Sequence, residues 1–265
     1  MWRWILWVCF PIYCHAQNEW PGLVQPSGSL HYQLVVLAPL AFIHTNAGLA
    51  FTDSGAIGIS AENRYSIRGL STAHAALKLK TNNGGWGVFG SAFGNEVMNG
   101  ITGGLGYGIR LSKSFGIGTG IRLNRDQIRG YAPLMSANPQ VGFLYFIDQK
   151  FCVGFHVHKS ITASYIKEQA YKQIDRIISG IGYKIDERVY TSIEIINEFR
   201  LPAWSKIYAE WTASKRIKAF LLYKTISNEL QLGFHGQFQR VSLSAGISNH
   251  SFLGNSSYIM FYRVF

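Results

Sequence analysis

"GYGIRLSKSFGIGTGIRLN", residues 106–124, states one phrase twice: Gly-x-Gly-Ile-Arg-Leu at Gly106–Leu111 and again at Gly118–Leu123. Glycines this dense suggest either a phosphate cradle or two strands about a short turn. A cradle needs G-x-G-x-x-G or Walker A spacing and a following helix that offers its N-terminus, and neither is present. The apolar residues instead fall at period two, the strand signature. Ile101, Leu105, Tyr107, Ile109 and Leu111 point one way, against Thr102, Gly104, Gly106, Gly108 and Arg110. Phe115, Ile117, Ile121 and Leu123 repeat the plan against Gly116, Gly118, Gly120, Arg122 and Asn124. The stretch reads as a hairpin turning at Ser112-Lys113-Ser114.

Extending that period along the chain predicts fourteen strands: 56–64, 71–80, 86–93, 101–111, 115–125, 139–148, 151–158, 176–184, 189–198, 205–213, 217–225, 229–236, 240–248 and 256–265. Short turns at 112–114, 148–150, 186–188 and 214–215 alternate with longer polar connections at 94–100, 126–138, 159–175, 199–204 and 249–255. One end of the sheet is trimmed and the other elaborated, as in a transmembrane barrel with an even strand number. A soluble β-sandwich would bury one face in a core, with shorter strands at closer spacing. Here aromatic and branched residues oppose small or polar ones, and the repeat is roughly 18 residues, room for a membrane strand of ~9–11 residues plus a connection. The ending "YIMFYRVF" closes on an aromatic strand at Phe265, and barrel closure removes the exposed edges of an open sheet. The fold expected is all-β, a fourteen-stranded antiparallel transmembrane β-barrel over 56–265.

The first residues, "MWRWILWVCFPIYCHA", read as a signal peptide over 1–16: Arg3, a short apolar run from Trp4 to Tyr13, and a small residue at Ala16. About ten apolar residues are too few to cross a ~30 Å hydrocarbon core as a helix. Of the three cysteines only Cys152 would remain after cleavage, so no intramolecular disulfide is expected. The net charge of +11 would ordinarily raise nucleic acid, but the cations stand singly along the chain and form no patch. No nucleic-acid partner and no cofactor is expected.

Residues 17–55 are expected to form an N-terminal periplasmic or lumen segment. Within it stands "LAFIHTNAGLAF", followed by "GAIGISAENRYSIRGLSTAHAALKL". These motifs resemble the N-terminal region of the PorV/PorQ-type proteins, a branch of the FadL-like outer-membrane barrels. Ala47, Gly48, Leu49 and Ala50 match an Asn-Pro-Ala-Gly-Leu-Ala segment, with Thr45 and Asn46 where Asn and Pro are usual. Glu62, Asn63, Arg64 and Tyr65 match the end of the first strand, and Leu70-Ser71-Thr72 opens the second. The resemblance implies a fourteen-stranded barrel in a Gram-negative outer membrane, with a short helix or plug near the lumen. It also implies passage of small hydrophobic molecules or, alternatively, a non-transporting role in a type IX secretion or assembly complex. Partners would then be outer-membrane lipid and a hydrophobic small molecule or a larger complex.

Within such a barrel the inward residues are the candidate site. Glu62, Arg64, Arg110, Arg122, His156 and His158 are expected as polar lumen lining. Cys152, His156 and His158 share a face, but same-face neighbours on a strand lie ~7 Å apart, so zinc would need His235 or His74 from elsewhere. Glu194, Glu198, Glu210, Lys78, Lys206 and Lys218 read as charge pairs across the lumen; no Ser/His/Asp or paired-carboxylate site stands out, and no enzyme is expected. Glycine weakens a strand unless something approaches its backbone closely. Gly104, Gly106, Gly108, Gly116, Gly118 and Gly120 therefore serve either strand curvature or reception of the N-terminal segment, with Leu49 and Phe51 folded into the lumen.

Overall fold

In the computed structural model, which describes residues 41–67, 69–148, 150–163, 175–198 and 201–265, the repeated stretch is a hairpin with glycine facing glycine. Gly106 pairs with Gly120 and Gly108 with Gly118, while Leu105 pairs with Ile121 and Ile109 with Ile117 on the other face. The Ser112 hydroxyl accepts the Ser114 and Phe115 amides (3.1 and 2.9 Å), which fixes the turn.

Fifteen strands follow in chain order among the described residues: β1 (Ala56–Asn63), β2 (Ser71–Thr81), β3 (Gly84–Gly94), β4 (Met98–Arg110) and β5 (Phe115–Ile128). Then come β6 (Leu134–Phe146), β7 (Phe151–His158), β8 (Ile161–Ala163), β9 (Arg176–Lys184) and β10 (Val189–Glu198). The last are β11 (Trp204–Thr212), β12 (Ile217–Lys224), β13 (Glu229–Phe238), β14 (Val241–His250) and β15 (Gly254–Val264). Each strand pairs antiparallel with its neighbour, and β1 closes on β15, giving a closed fourteen-stranded barrel in which β8 is an extra piece on β6. The only described helices are two 3-10 segments, Ala41–Ile43 and Asn46–Phe51.

The piece β8 was not foreseen; the sequence reads as connection from 159 to 175. Its pairing with β6 continues the register of β7, Gln140 opposite His158 and Ala137 opposite Ile161. Between them Lys159 donates to the Pro139 carbonyl (3.1 Å). Proline has no N–H to return, so the ladder lapses there and one strand becomes two.

Burial is inverted relative to a soluble protein. Outward Ile59, Leu123 and Ile247 are 59%, 56% and 62% exposed, whereas inward Lys78, Glu194 and Gln231 are 3%, 4% and 1% exposed. Water would penalise such a surface; hydrocarbon solvates it, and a closed barrel leaves no backbone group unpaired in lipid. At the seam the Phe265 amide donates to Gly55 O (2.9 Å), and its ring lies over Gly55, where a side chain would collide with it.

The connections 82–83, 111–114, 147–148 with 150, 185–188, 213–216 and 239–240 lie at one end, here the turn rim; the other described connections lie at the loop rim. The loop rim is less elaborate than expected. Residues 98–100, 126–128 and 134–138 extend β4, β5 and β6, leaving only 95–97 and 129–133 as connections, and β14–β15 turns at 251–253. Outward residues there, such as Asn99, Arg125 and Gln127, are polar, so the alternation that marks a lipid-facing strand fades while the ladder continues. The wall is therefore uneven: β4, β5 and β6 run 13, 14 and 13 residues, but β11 and β12 only 9 and 8.

Candidate functional site

A side chain needs about a methyl's width to leave a strand, and on the inner face of β4 and β5 the N-terminal segment occupies it. A Cβ on Gly108 would stand 2.6 Å from the Leu49 carbonyl carbon and 2.7 Å from Leu49 Cβ. One on Gly116 would meet Ala50 Cβ at 2.5 Å and Phe51 Cε2 at 2.8 Å. On Gly106 and Gly120 it would meet Asn46 Cγ at 2.9 Å, and on Gly118 it would fall on the backbone of Asn46 and Ala47. Gly104 differs: the Phe89 ring, not the segment, lies over it. Ala47, Leu49 and Ala50 are fully buried, and Gly48 sits half-buried among them.

The contact surface extends onto β3, which the sequence reading left out: Phe42 lies over Gly87 (2.6 Å to a Cβ) and Thr52 over Gly85 (3.1 Å). The signal was present in "NNGGWGVFG", where glycines 85 and 87 alternate just as those of β4 and β5 do. Asn46 was likewise not singled out. Its amide donates to Gln140 Oε1 (3.2 Å), joining the segment to β6.

Two arginines hold the segment's backbone. Arg122, buried, donates to the Ile43 carbonyl (2.5 Å) and lies 5.4 Å from the centre of the Phe89 ring. Arg110 donates to Ala50 O (3.1 Å), pairs with Asp53 (3.2 Å) and covers the Phe51 ring at 5.3 Å. It stands at the turn-rim mouth and is exposed, rather than deep in the lumen. A hydrogen bond from a buried charged donor contributes ~1.5–3 kcal/mol, so the Arg122 clamp weighs about as much as the burial of Leu49, and the exposed Arg110 clamp less.

The other polar residues lie apart from this contact. Glu62 and Arg64 pair at the loop rim (3.4 Å), where Arg64 follows the end of β1. On β7 the His156 and His158 rings lie 4.1 Å apart; Cys152, by contrast, belongs to the segment's own contact, in the apolar cluster that Ala47, Ala50 and Phe51 form with Leu144, Ile178 and Ile196. Among the described residues no three of His, Cys, Asp and Glu come together as a metal site would require. On the far wall, cross-strand pairs satisfy the buried charges: Lys218 with Glu210 (2.8 Å), which also accepts from the Tyr208 hydroxyl (2.8 Å), Lys224 with Glu229 (2.9 Å), and Arg176 with Glu198. Between these pairs Tyr190, Tyr208, Phe220, Leu222 and Tyr258 form a continuous aromatic patch facing inward. The lumen thus has a glycine wall covered by its own chain and, across from it, aromatic surface interspersed with neutralised charge.

No family profile matches the chain, and neither does any curated protein sequence. Solved structures do. The Pseudomonas putida toluene transporter TodX superposes with a TM-score of 0.65 at 7% identity, over 86% of this chain and 94% of that one. The Ralstonia pickettii toluene transporter TbuX gives 0.63 at 8% identity, over 86% and 94%. The CymD monoaromatic hydrocarbon channel gives 0.63 at 9% identity, over 92% and 97%. At such identities the likeness is one of fold: these transporters share the closed antiparallel β-barrel of this chain. These structures lend no support to a type IX secretion role, and the narrower likeness to the PorV/PorQ branch rests on the sequence motifs at 47–50 and 62–65.

Proposed function

We propose that this chain is an outer-membrane channel for small hydrophobic molecules, with the segment at 42–52 as the floor of its lumen. The observation that carries the reading is the inward aromatic patch of Tyr190, Tyr208, Phe220, Leu222 and Tyr258, in a barrel whose surrounding charges are paired. Apolar surface inside a lumen gains from receiving an apolar molecule, while paired charges do not hold water or ions as free ones would. The shared fold of the toluene transporters supports the same class of cargo.

Proteoliposomes test it. Uptake of a small aromatic hydrocarbon should exceed that of empty vesicles, and deleting 42–52 should raise both this uptake and the leakage of small polar solutes. Uptake equal to empty vesicles, with and without the segment, would overturn the transport reading. A lumen sealed in both forms, in a barrel that co-purifies with larger machinery, would mark a partner subunit instead.

A further inference from the structure

The turn rim carries a collar of cations. Lys113, Lys150, Arg188, Lys215 with Arg216, and Arg240 stand one per hairpin around the barrel, all exposed. Exposed Arg263, outward near the end of β15, joins them, while exposed Lys80 ends β2 on the side that Lys78 turns to the lumen. None of these eight makes an ion pair among the described residues. The exposed acids at this rim number four, and most are engaged: Asp53 pairs with Arg110, Asp148 accepts the Lys150 and Phe151 amides, and Asp186 accepts those of Arg188 and Val189.

Just inside the collar, on the outer face, runs an aromatic girdle. Trp86 packs on Tyr107 (4.5 Å), Phe115 on Tyr145 (6.2 Å) and Phe151 on Tyr183 (6.4 Å), and Trp211 and Phe238 continue it. Such girdles sit at the boundary of hydrocarbon and headgroups. The cations one step further from the belt then lie at phosphate level, within reach of long side chains that extend along the surface.

We infer that this collar binds the anionic phospholipid headgroups of the turn-rim leaflet, and so selects the lipid around the barrel. The inference rests on the membrane-barrel reading. A protein partner would be met by a patch on one side; cations at five of the six turn-rim hairpins match a plane of headgroups around most of the circumference. Each cation near an anionic surface adds favourable attraction, and salt screens it.

The girdle tryptophans report on it. The full-length protein is reconstituted into phosphatidylcholine vesicles containing brominated phosphatidylglycerol or, separately, brominated phosphatidylcholine. At low salt the anionic lipid should quench Trp86 and Trp211 with several-fold higher relative association, and high salt should remove the preference. In an Arg188→Glu/Lys215→Glu/Arg216→Glu variant, which removes the cations flanking Trp211 on both sides, the preference should vanish at Trp211, read with every other tryptophan replaced by Phe. It should persist at Trp86, read as the sole remaining tryptophan, near intact Lys113. That persistence also shows that the variant has folded into the bilayer. Equal quenching by the two lipids at low salt, or an anionic preference at Trp211 that survives the triple variant, would overturn the inference. Quenching by neither lipid would instead overturn the membrane reading beneath it.

Discussion

Replacing Gly118 by alanine separates the two physical roles a strand glycine can have. In an open strand the change is favourable by roughly 0.5–1 kcal/mol, because alanine has less backbone freedom to lose on folding. Gly103 provides that case: it faces outward on β4, and the nearest atom to an added Cβ is Phe89 O at 4.0 Å. At Gly118 the methyl would land on the backbone of Asn46 and Ala47, which no rotamer change can move aside. Overpacking of this kind costs about 1–3 kcal/mol. Gly103→Ala should therefore stabilise slightly while Gly118→Ala is neutral to destabilising. Both are measured by urea unfolding from lipid vesicles, followed by tryptophan fluorescence and by the heat-modifiable gel band. A cycle with deletion of 42–52 isolates the contact: without the segment, Gly118→Ala should become as favourable as Gly103→Ala, a coupling of about 1–3 kcal/mol. A coupling below roughly 0.5 kcal/mol, the limit of simple additivity, would refute the reasoning.

Leu105→Arg, at a half-exposed position facing outward between Val88 and Ile121, should cost ~2–4 kcal/mol in the same unfolding assay, as an arginine does in the bilayer midplane, whereas Leu105→Met should be near neutral. Gly55→Val should lower the yield of the compact, heat-modifiable form, because the new side chain meets the Phe265 ring at the seam; adding Phe265→Ala should restore it unless the clash is with something else.

Much of the barrel was legible because lipid and lumen are opposite solvents, and a period of two writes their difference into every strand. The spans 151–158, 176–184 and 189–198 coincide with β7, β9 and β10 for that reason. Where the outward face turns polar too, as at Asn99, Arg125 and Gln127, the contrast disappears and strand reads as loop. The break at Pro139 was hidden differently: its effect falls on Lys159, a partner that only the register identifies. The glycine alternation announced that something lies close to the wall, but not what, since Asn46 and Gln140 are 94 residues apart and meet only once the barrel is closed.

Uneven strand lengths give the barrel a high side and a low side. At ~3.3 Å per residue and the ~40° tilt of barrel strands, the 13- and 14-residue strands β4–β6 stand roughly 12 Å taller than β11 and β12, of 9 and 8 residues. A molecule dissolved in the membrane surface meets a parapet on one flank and a sill on the other. The aromatic patch rises directly behind that sill, since Tyr208 belongs to β11 and Phe220 and Leu222 to β12. The shortest climb into the lumen therefore ends on its stickiest wall, and lengthening β11–β12 by a few residues would raise the sill without altering the lumen at all.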